Sequence, residues 1–331
     1  MPTIEQEQPT LGVVIVTYAA AGEIATCLET LLGAQGVNLR VVVVDNDSPD
    51  DTLAVIRSWA DGTTEAHQSL PFDTRPVAKP IALDGSGSGH RVTLLPTGTN
   101  GGFAAGVNVG LAHLAADPSI DRFWILNPDC AVPPETPLRF LNEAEAFSIM
   151  GGRIVFLDDP DKIQIDGGRI QWWSGLTKNI AHLRDPKTTP APPPQALDFI
   201  SGASMVVSRA HYECIGPMSE DYFLYYEEVD WAQRRQLPLA YADGAMVYHK
   251  GGASIGSRTS TRAASHLSTY FIHRARLRFL WRFCKSGIPG ALLYSFAKAA
   301  QLWLHGNRTG AKVLLLATFQ VRLDADSLLR R

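Results

Sequence analysis

At 331 residues the chain is too long for one minimal domain, and its 45% hydrophobic content supports one large α/β core with an appendage. Four cysteines without a C-x-x-C pair exclude a zinc site of that type and a disulfide framework, so a reduced, cytoplasmic setting is expected. The formal charge of −3 hides an asymmetry: residues 1–243 carry 16 Lys or Arg against 31 Asp or Glu, and residues 244–331 carry 14 against 2.

In chain order, residues 1–10 (MPTIEQEQPT) form a polar, acidic tail without the apolar stretch of a signal peptide. LGVVIVTY (Leu11–Tyr18) predicts a fully buried strand, followed by a helix through Leu28, Leu31 and Leu32. RVVVVD (Arg40–Asp45) predicts a second such strand, with Ser48 as N-cap and Pro49 as first residue of the next helix. Residues 61–90, rich in Gly, Ser, Thr and Pro, read as a long irregular insertion. RVTLLP (Arg91–Pro96) is a third strand, Gly102–Ala115 a helix, and FWIL at Phe123–Leu126 a fourth strand. Continuous apolar strands alternating with helices predict a mostly parallel sheet covered on both faces.

Beyond Gly151 the pattern is mixed. GGRIVFL (151–157) and GGRIQWW (167–173) read as strands, and RDPKTTPAPPPQ (Arg184–Gln195) as a proline-rich loop. DFISGASMVVSR (198–209) resumes a strand, YEEVDWAQRRQ (226–236) starts a helix, and LAYADGAMVYHKGG (239–252) reads as a strand pair.

Ligands of open parallel sheets sit at the carboxyl ends of the strands, where helix N-termini also point. Three polar groups fall there: Tyr18, Asp45-Asn46-Asp47 and Asn127-Pro128-Asp129. Any one of them is compatible with a helix cap, and the three together point to a binding crevice. In TNGGFAAGVNVGL (Thr99–Leu111), Gly106 and Gly110 share a helix face that can press against the sheet or against a ligand. A nicotinamide site would need G-x-G-x-x-G after the first strand, where TYAAAGEIA has only Gly22.

The ordered set VVIVTY, VVVVDNDSPDDT, NGGFAAGVNVGL, WILNPDCAVP, SGASMVVSR, FLYYEEVDWAQR and VYHKGG resembles the family 2 glycosyltransferases, in particular bacterial rhamnosyltransferase-like members, over roughly residues 11–283. The resemblance implies a GT-A fold in residues 11–255, with a nucleotide-binding half (11–130) and an acceptor-binding half (151–255). It also implies a nucleotide-diphosphate sugar donor, a divalent metal (Mg²⁺ or Mn²⁺), inversion at the anomeric carbon and a role in cell-surface polysaccharide synthesis. Asp129 matches the family's Asp-x-Asp metal motif, in which Asn127 replaces the first acid, and His249 matches a metal-ligating histidine of some members. Donor binding is thereby assigned to Thr17, Tyr18, Asp45, Asn46, Asn100, Gly101, Gly102, Asn108 and Asn127. The family's catalytic base falls on Glu228, with Glu227 and Asp230 as acidic neighbours toward the acceptor. Gly202 and Ala203 are small enough for a sugar to approach, and Trp172 or Trp173 offers a stacking platform. The resemblance favours dTDP-rhamnose as donor, ahead of UDP-hexose and UDP-galactofuranose, and a saccharide or lipid-linked saccharide as acceptor. A non-catalytic, sugar-nucleotide-binding relative remains the alternative, since Asn127 and Glu228 both depart from the family pattern.

Residues 256–331 are basic and helical in pattern. Arg274, Arg278 and Arg282 recur at i, i+4 and i+8 among Leu, Trp and Phe, and IPGALLYSFAKAAQLWLHG and AKVLLLATF beyond them are apolar with sparse lysines, which predicts a region lying on an anionic membrane surface. Packing on the main domain and a homodimer interface are competing uses of these helices. Apolar residues between the charges argue against nucleic acid as partner. The expected location is cytoplasmic, peripheral on the inner face of the cell membrane.

Overall fold

The computed structural model describes residues 8–64, 69–142, 146–251 and 265–321. Most of the acidic tail therefore lies outside the described residues, as do both ends of the basic region. Strands β1 (Thr10–Thr17), β2 (Asn38–Asp45), β3 (Arg91–Pro96) and β4 (Arg122–Leu126) form the parallel half of a nine-stranded sheet, in the order β3-β2-β1-β4. The Val-rich runs of β1 and β2 are buried on both faces, and each fully buried Val stabilises by about 1.5–3 kcal/mol. The register sets Thr17 beside Asp45 and Asp45 beside Pro96, so the strands end level at one rim.

Beyond β4 the direction reverses. β10 (Ser204–Ser208) runs antiparallel to β4 and to β6 (Ile149–Phe156), and β11 (Ala240–His249) lies parallel to β6. The short β5 (Cys130–Ala131) and β7 (Ile163–Ile165) pair antiparallel with β11 and β6, and β8 (Gly168–Gln171) with β9 (Leu176–Asn179) makes a separate hairpin. Helices α1 (Ile24–Leu32), α2 (Thr52–Ala60), α3 (Phe103–Ala115), α4 (Thr136–Asn142), α5 (Arg209–Ile215) and α6 (Glu227–Gln233) complete the α/β unit. A Cβ on Gly106 would stand 2.6 Å from Val16, and one on Gly110 2.5 Å from Val14. The glycine face of α3 therefore presses on β1 and not on a ligand.

Four local expectations are corrected. Ser48 caps no helix: its hydroxyl bonds Asp45, while α2 begins at Thr52 after Asp50 accepts from the Thr52 amide and hydroxyl. The expected pair at 239–252 is a single strand, β11, whose register shifts between Tyr241 and Met246. β10 begins only at Ser204, with 201–203 forming a turn before it. Trp172 and Trp173 follow β8 in a turn, so neither is forced inward by strand alternation.

The basic region is also packed differently from expectation. α7 (His266–Phe283), started by Ser265 accepting from the Ser268 amide, places Ala275 and Phe279 in the main hydrophobic core. Arg276 is fully buried and donates to Ser295 Oγ (2.6 Å) and the Ala291 carbonyl (3.2 Å) of α8 (Ile288–Leu304). α9 (Arg308–Thr318) closes on α8 through Ala299, Ala311 and Leu314. Two of the three stripe arginines have partners within the protein: Arg274 bonds the Tyr270 hydroxyl and Arg282 pairs with Asp230. Among the described residues, no helix is long and apolar enough to cross a membrane.

One buried group makes the fold acid-sensitive. His211, at the start of α5, lies against Trp231 with neither ring nitrogen hydrogen-bonded among the described residues, and burial pulls its pKa from 6.5 to about 4. A histidine whose folded pKa is depressed contributes stability that is complete above the unfolded value and is lost as pH falls through the folded one. We expect about 3 kcal/mol of stability to disappear between pH 6.5 and 4, read as a falling urea midpoint. His211→Leu should remove that share of the dependence and leave the share of His273, which burial pulls down to about 3, and an unchanged pH slope in the variant would assign the whole of it elsewhere.

Candidate active site

At the rim where β1 and β2 end, Asp45 is fully buried and accepts from Thr17 Oγ1 (2.8 Å), Ser48 Oγ (2.6 Å) and the Ser48 amide (3.0 Å). Its carboxylate thus shapes the loops that would face a nucleoside. Asn46 donates to the Gly102 carbonyl (2.8 Å) and Asn100 accepts from the Gly102 amide (3.0 Å), so both hold the entry of α3. Gly101 lies in that entry, and Tyr18 is half-buried at the rim. Asn108 stands one turn deeper, bonded to both backbone groups of Met218 and to Glu220, as a clamp on the 218–220 segment. It takes no part in the rim.

At the end of β4, Asp129 Oδ1 stands 3.0 Å from His249 Nε2, and Asn127 Nδ2 lies 3.3 Å from the same nitrogen. On the other side of the ring, His249 Nδ1 lies 2.7 Å from Gln164 Oε1. A carbonyl oxygen only accepts, so Nδ1 carries a proton here, and Nε2, facing Asp129 Oδ1, would offer its lone pair to a cation held between the two. A carboxylate oxygen and an imidazole lone pair converging on one point fit a divalent cation such as Mn²⁺. Cys130 is close enough to join them, but burial holds its thiol well above the usual range and it donates to the Ala203 carbonyl. It is therefore a poor ligand.

Gln164 escaped the sequence reading because it is simply the outward residue between two buried isoleucines of β7. Lys250 was missed as well. Its amide donates to the Asp129 carbonyl and its ammonium to Glu23 (3.1 Å), tying the start of α1 to the Asp129 side of the rim.

The acidic segment sorts itself by burial, as its helical spacing implies. Glu227 is 1% exposed, its Oε1 has no hydrogen-bond partner among the described residues, and burial followed by the charge of Glu228 drives its carboxyl far upward. Asp230 is also buried but fully engaged by Tyr222 (2.9 Å), Arg234 (2.8 Å) and Arg282 (2.8 Å), so it is a structural tether to α7 and not an acceptor contact. Glu228 alone of the three retains an accessible edge, and burial pushes its carboxyl up to about 7.

The backbone leading to Glu228 is strained. Phe223, Tyr225 and Tyr226 adopt φ of 66°, 67° and 73°, a region that costs a non-glycine residue of order 1–3 kcal/mol. Contacts from three sides enforce it. The Phe103 amide donates to the Phe223 carbonyl (3.0 Å), and Gly102 approaches that carbonyl so closely that any Cβ would collide with it. From α7, Phe271 stacks on Phe223 at 5.0 Å, Ser268 bonds the Tyr225 hydroxyl (2.9 Å) and Phe279 contacts Tyr226. Tyr226 itself donates to the Gly175 carbonyl (2.6 Å).

Gly202 and Ala203 join the two halves. A Cβ on Gly202 would lie 3.9 Å from that of Glu228, while the Ala203 carbonyl accepts from the Asn127 amide (2.9 Å). Glu228 and the Asp129–His249 pair thus flank one short turn of small residues. Trp172 lies elsewhere, with its ring 5.8 Å from Phe279 and its carbonyl against Gly287, at the junction with α7 and α8.

A rim carboxylate beside a histidine, a raised glutamate across a glycine turn and a half-parallel sheet define a GT-A glycosyltransferase architecture. Residues 12–201 match the model of glycosyl transferase family 2, and the chain belongs to that family. It is similar to the N-acetylglucosaminyl-diphospho-decaprenol L-rhamnosyltransferase of Mycobacterium tuberculosis, with 28% identity over 241 residues, covering 63% of this chain and 78% of the relative. A low-salt glycan biosynthesis hexosyltransferase of Haloferax volcanii is 22% identical over 231 residues, 68% of this chain and 61% of that protein. Among solved structures, a mannosyltransferase from Pyrobaculum calidifontis in complex with GDP-Man and Mn²⁺ shares the fold, with a TM-score of 0.51 and 16% identity, over 98% of this chain and 79% of that one.

Proposed function

We propose that this chain transfers a sugar, with inversion, from a nucleotide-diphosphate donor to a lipid-linked saccharide acceptor in cell-surface polysaccharide synthesis. The observation that carries the reading is the placement of Glu228 and the Asp129–His249 pair on either side of the Gly202–Ala203 turn. Glu228 takes the proton of the acceptor hydroxyl as that oxygen attacks the anomeric carbon from the face opposite the diphosphate. One carbon–oxygen bond forms, the bond to the diphosphate breaks, and the proton stays on Glu228. A divalent ion held by Asp129 and His249 would neutralise charge growing on the departing diphosphate. Asn127 holds His249, and Gln164 fixes its tautomer. Similarity to the mycobacterial rhamnosyltransferase favours dTDP-rhamnose over UDP-hexose or UDP-galactofuranose, and a polyprenyl-diphosphate saccharide as acceptor.

The test is a screen of nucleotide sugars for thermal stabilisation with Mn²⁺ present, followed by transfer to a short-chain polyprenyl-diphospho-N-acetylglucosamine. A dTDP-sugar should raise Tm most, and the product should gain one deoxyhexose with inverted anomeric configuration. Retained configuration would overturn the mechanism, and no stabilisation by any nucleotide sugar would overturn the function.

A further inference from the structure

Seven of the eleven large apolar side chains exposed among the described residues fall within residues 265–321. On α8, Leu293, Phe296 and Leu304 follow helical spacing on the face opposite the buried Ala291, Ser295 and Ala299, with Trp303 beside them. Phe319, just past α9, reaches Phe296 with ring centroids 6.0 Å apart, which makes the patch continuous across both helices. Leu304 is 76% exposed, Leu293 68% and Phe319 64%, values that a water-facing surface seldom concentrates in one place.

The segment that carries this patch has charge of one sign. Residues 265–321 contain eight Lys or Arg and no Asp or Glu. Arg308 and Lys312 are exposed one turn apart on α9. Lys285 is exposed at the other end of α8 and lies over the ring of Trp281, itself 65% exposed. Exposed Trp and Leu rimmed by cations suit the boundary between acyl chains and anionic headgroups. A second copy of the chain would bring an equally cationic surface against this one, which favours lipid over self-association.

We infer that the outer face of the α8–α9 pair docks on an anionic lipid bilayer, and that α7 links this docked face to the strained segment before Glu228. The inference narrows the membrane contact expected of residues 256–331 from the arginine stripe of α7, whose Arg274 and Arg282 are engaged in the fold, to the next two helices. It deepens the reading of a lipid-linked acceptor and rests on that reading only for its purpose. Vesicle binding is measured without donor or acceptor, so the two can fail separately.

Full-length protein is floated with phosphatidylglycerol vesicles and with phosphatidylcholine vesicles. The wild type should rise with the anionic vesicles only, and less so as salt increases. The double variant Leu293→Ser with Leu304→Ser should lose most of that flotation at unchanged Tm. Arg308→Gln with Lys312→Gln, which disturbs no packing, should weaken it roughly tenfold or more. Wild-type recovery from both variants would overturn the proposal, as would equal recovery of wild type with neutral and anionic vesicles. A wild-type dimer in light scattering that Leu293→Ser with Leu304→Ser converts to monomer would assign the face to a second copy instead.

Discussion

Glu228→Gln should lower transfer by about 10²–10⁴-fold while the donor still binds with unchanged Kd. The amide keeps the size and hydrogen-bonding reach of the carboxylate but cannot accept the proton of the acceptor hydroxyl. Glu227→Gln is the control. That side chain is buried and its carboxyl is already driven toward the neutral form, so an amide there leaves the reacting groups in place. The pH dependence follows from the same geometry. Burial raises Glu228 to about 7, and the ionised form is the base, so kcat/KM should climb through pH 7 and fall away on the acid side. Steady-state rates together with calorimetric donor binding provide the check. A Glu228→Gln enzyme turning over near the wild-type rate would remove Glu228 from the role.

Asp129→Ala should be nearly as damaging, for an electrostatic reason. Among the described residues Asp129 is the carboxylate facing His249, and a divalent ion bound there would supply several kcal/mol of charge stabilisation, on the order of a thousandfold in rate. EDTA should arrest the wild-type enzyme and Mn²⁺ or Mg²⁺ restore it, whereas the variant should recover little at any ion concentration. Mn²⁺ binding followed by electron paramagnetic resonance gives a readout independent of turnover. In that measurement Gln164→Ala should weaken the ion by about 10–100-fold, because the ring of His249 loses the acceptor that orients it. Full activity of the wild type in EDTA would dismiss the metal.

The parallel half of the fold was open to sequence reading because β1, β2 and β4 are almost wholly buried and leave uninterrupted apolar runs. Polar residues ending such runs then marked the rim, and Asp45, Asn127 and Asp129 all stand there. The other half was less legible. The chain keeps ten residues of β11 in one strand by shifting register near Gly244, a device that looks like a turn in one dimension. Asn108 and Asp230 carry the residue types of ligand contacts, yet their side chains meet partners far away in sequence, Met218 and Arg282, while Asn100 turns to the Gly102 amide two residues on. Gln164 and Lys250 were invisible for the converse reason, since nothing in an alternating strand or a strand end distinguishes a side chain that will orient an imidazole. The arginine stripe of α7 shows that helical spacing reports a face and not what covers it, since Arg274 and Arg282 meet protein partners. One of its neighbours, Arg276, is wholly enclosed by α8.

Three left-handed backbone positions, Phe223, Tyr225 and Tyr226, are set within four residues without a single glycine, and the grip that shapes them arrives from a helix encoded well downstream. Exchanging the stretch from Phe223 to Asp230 between relatives would transplant the letters and leave the mould behind. A chimera meant to inherit another enzyme's choice of hydroxyl has to carry its own α7 along, and drift in that helix can retune the chemistry without touching a residue that meets the sugar.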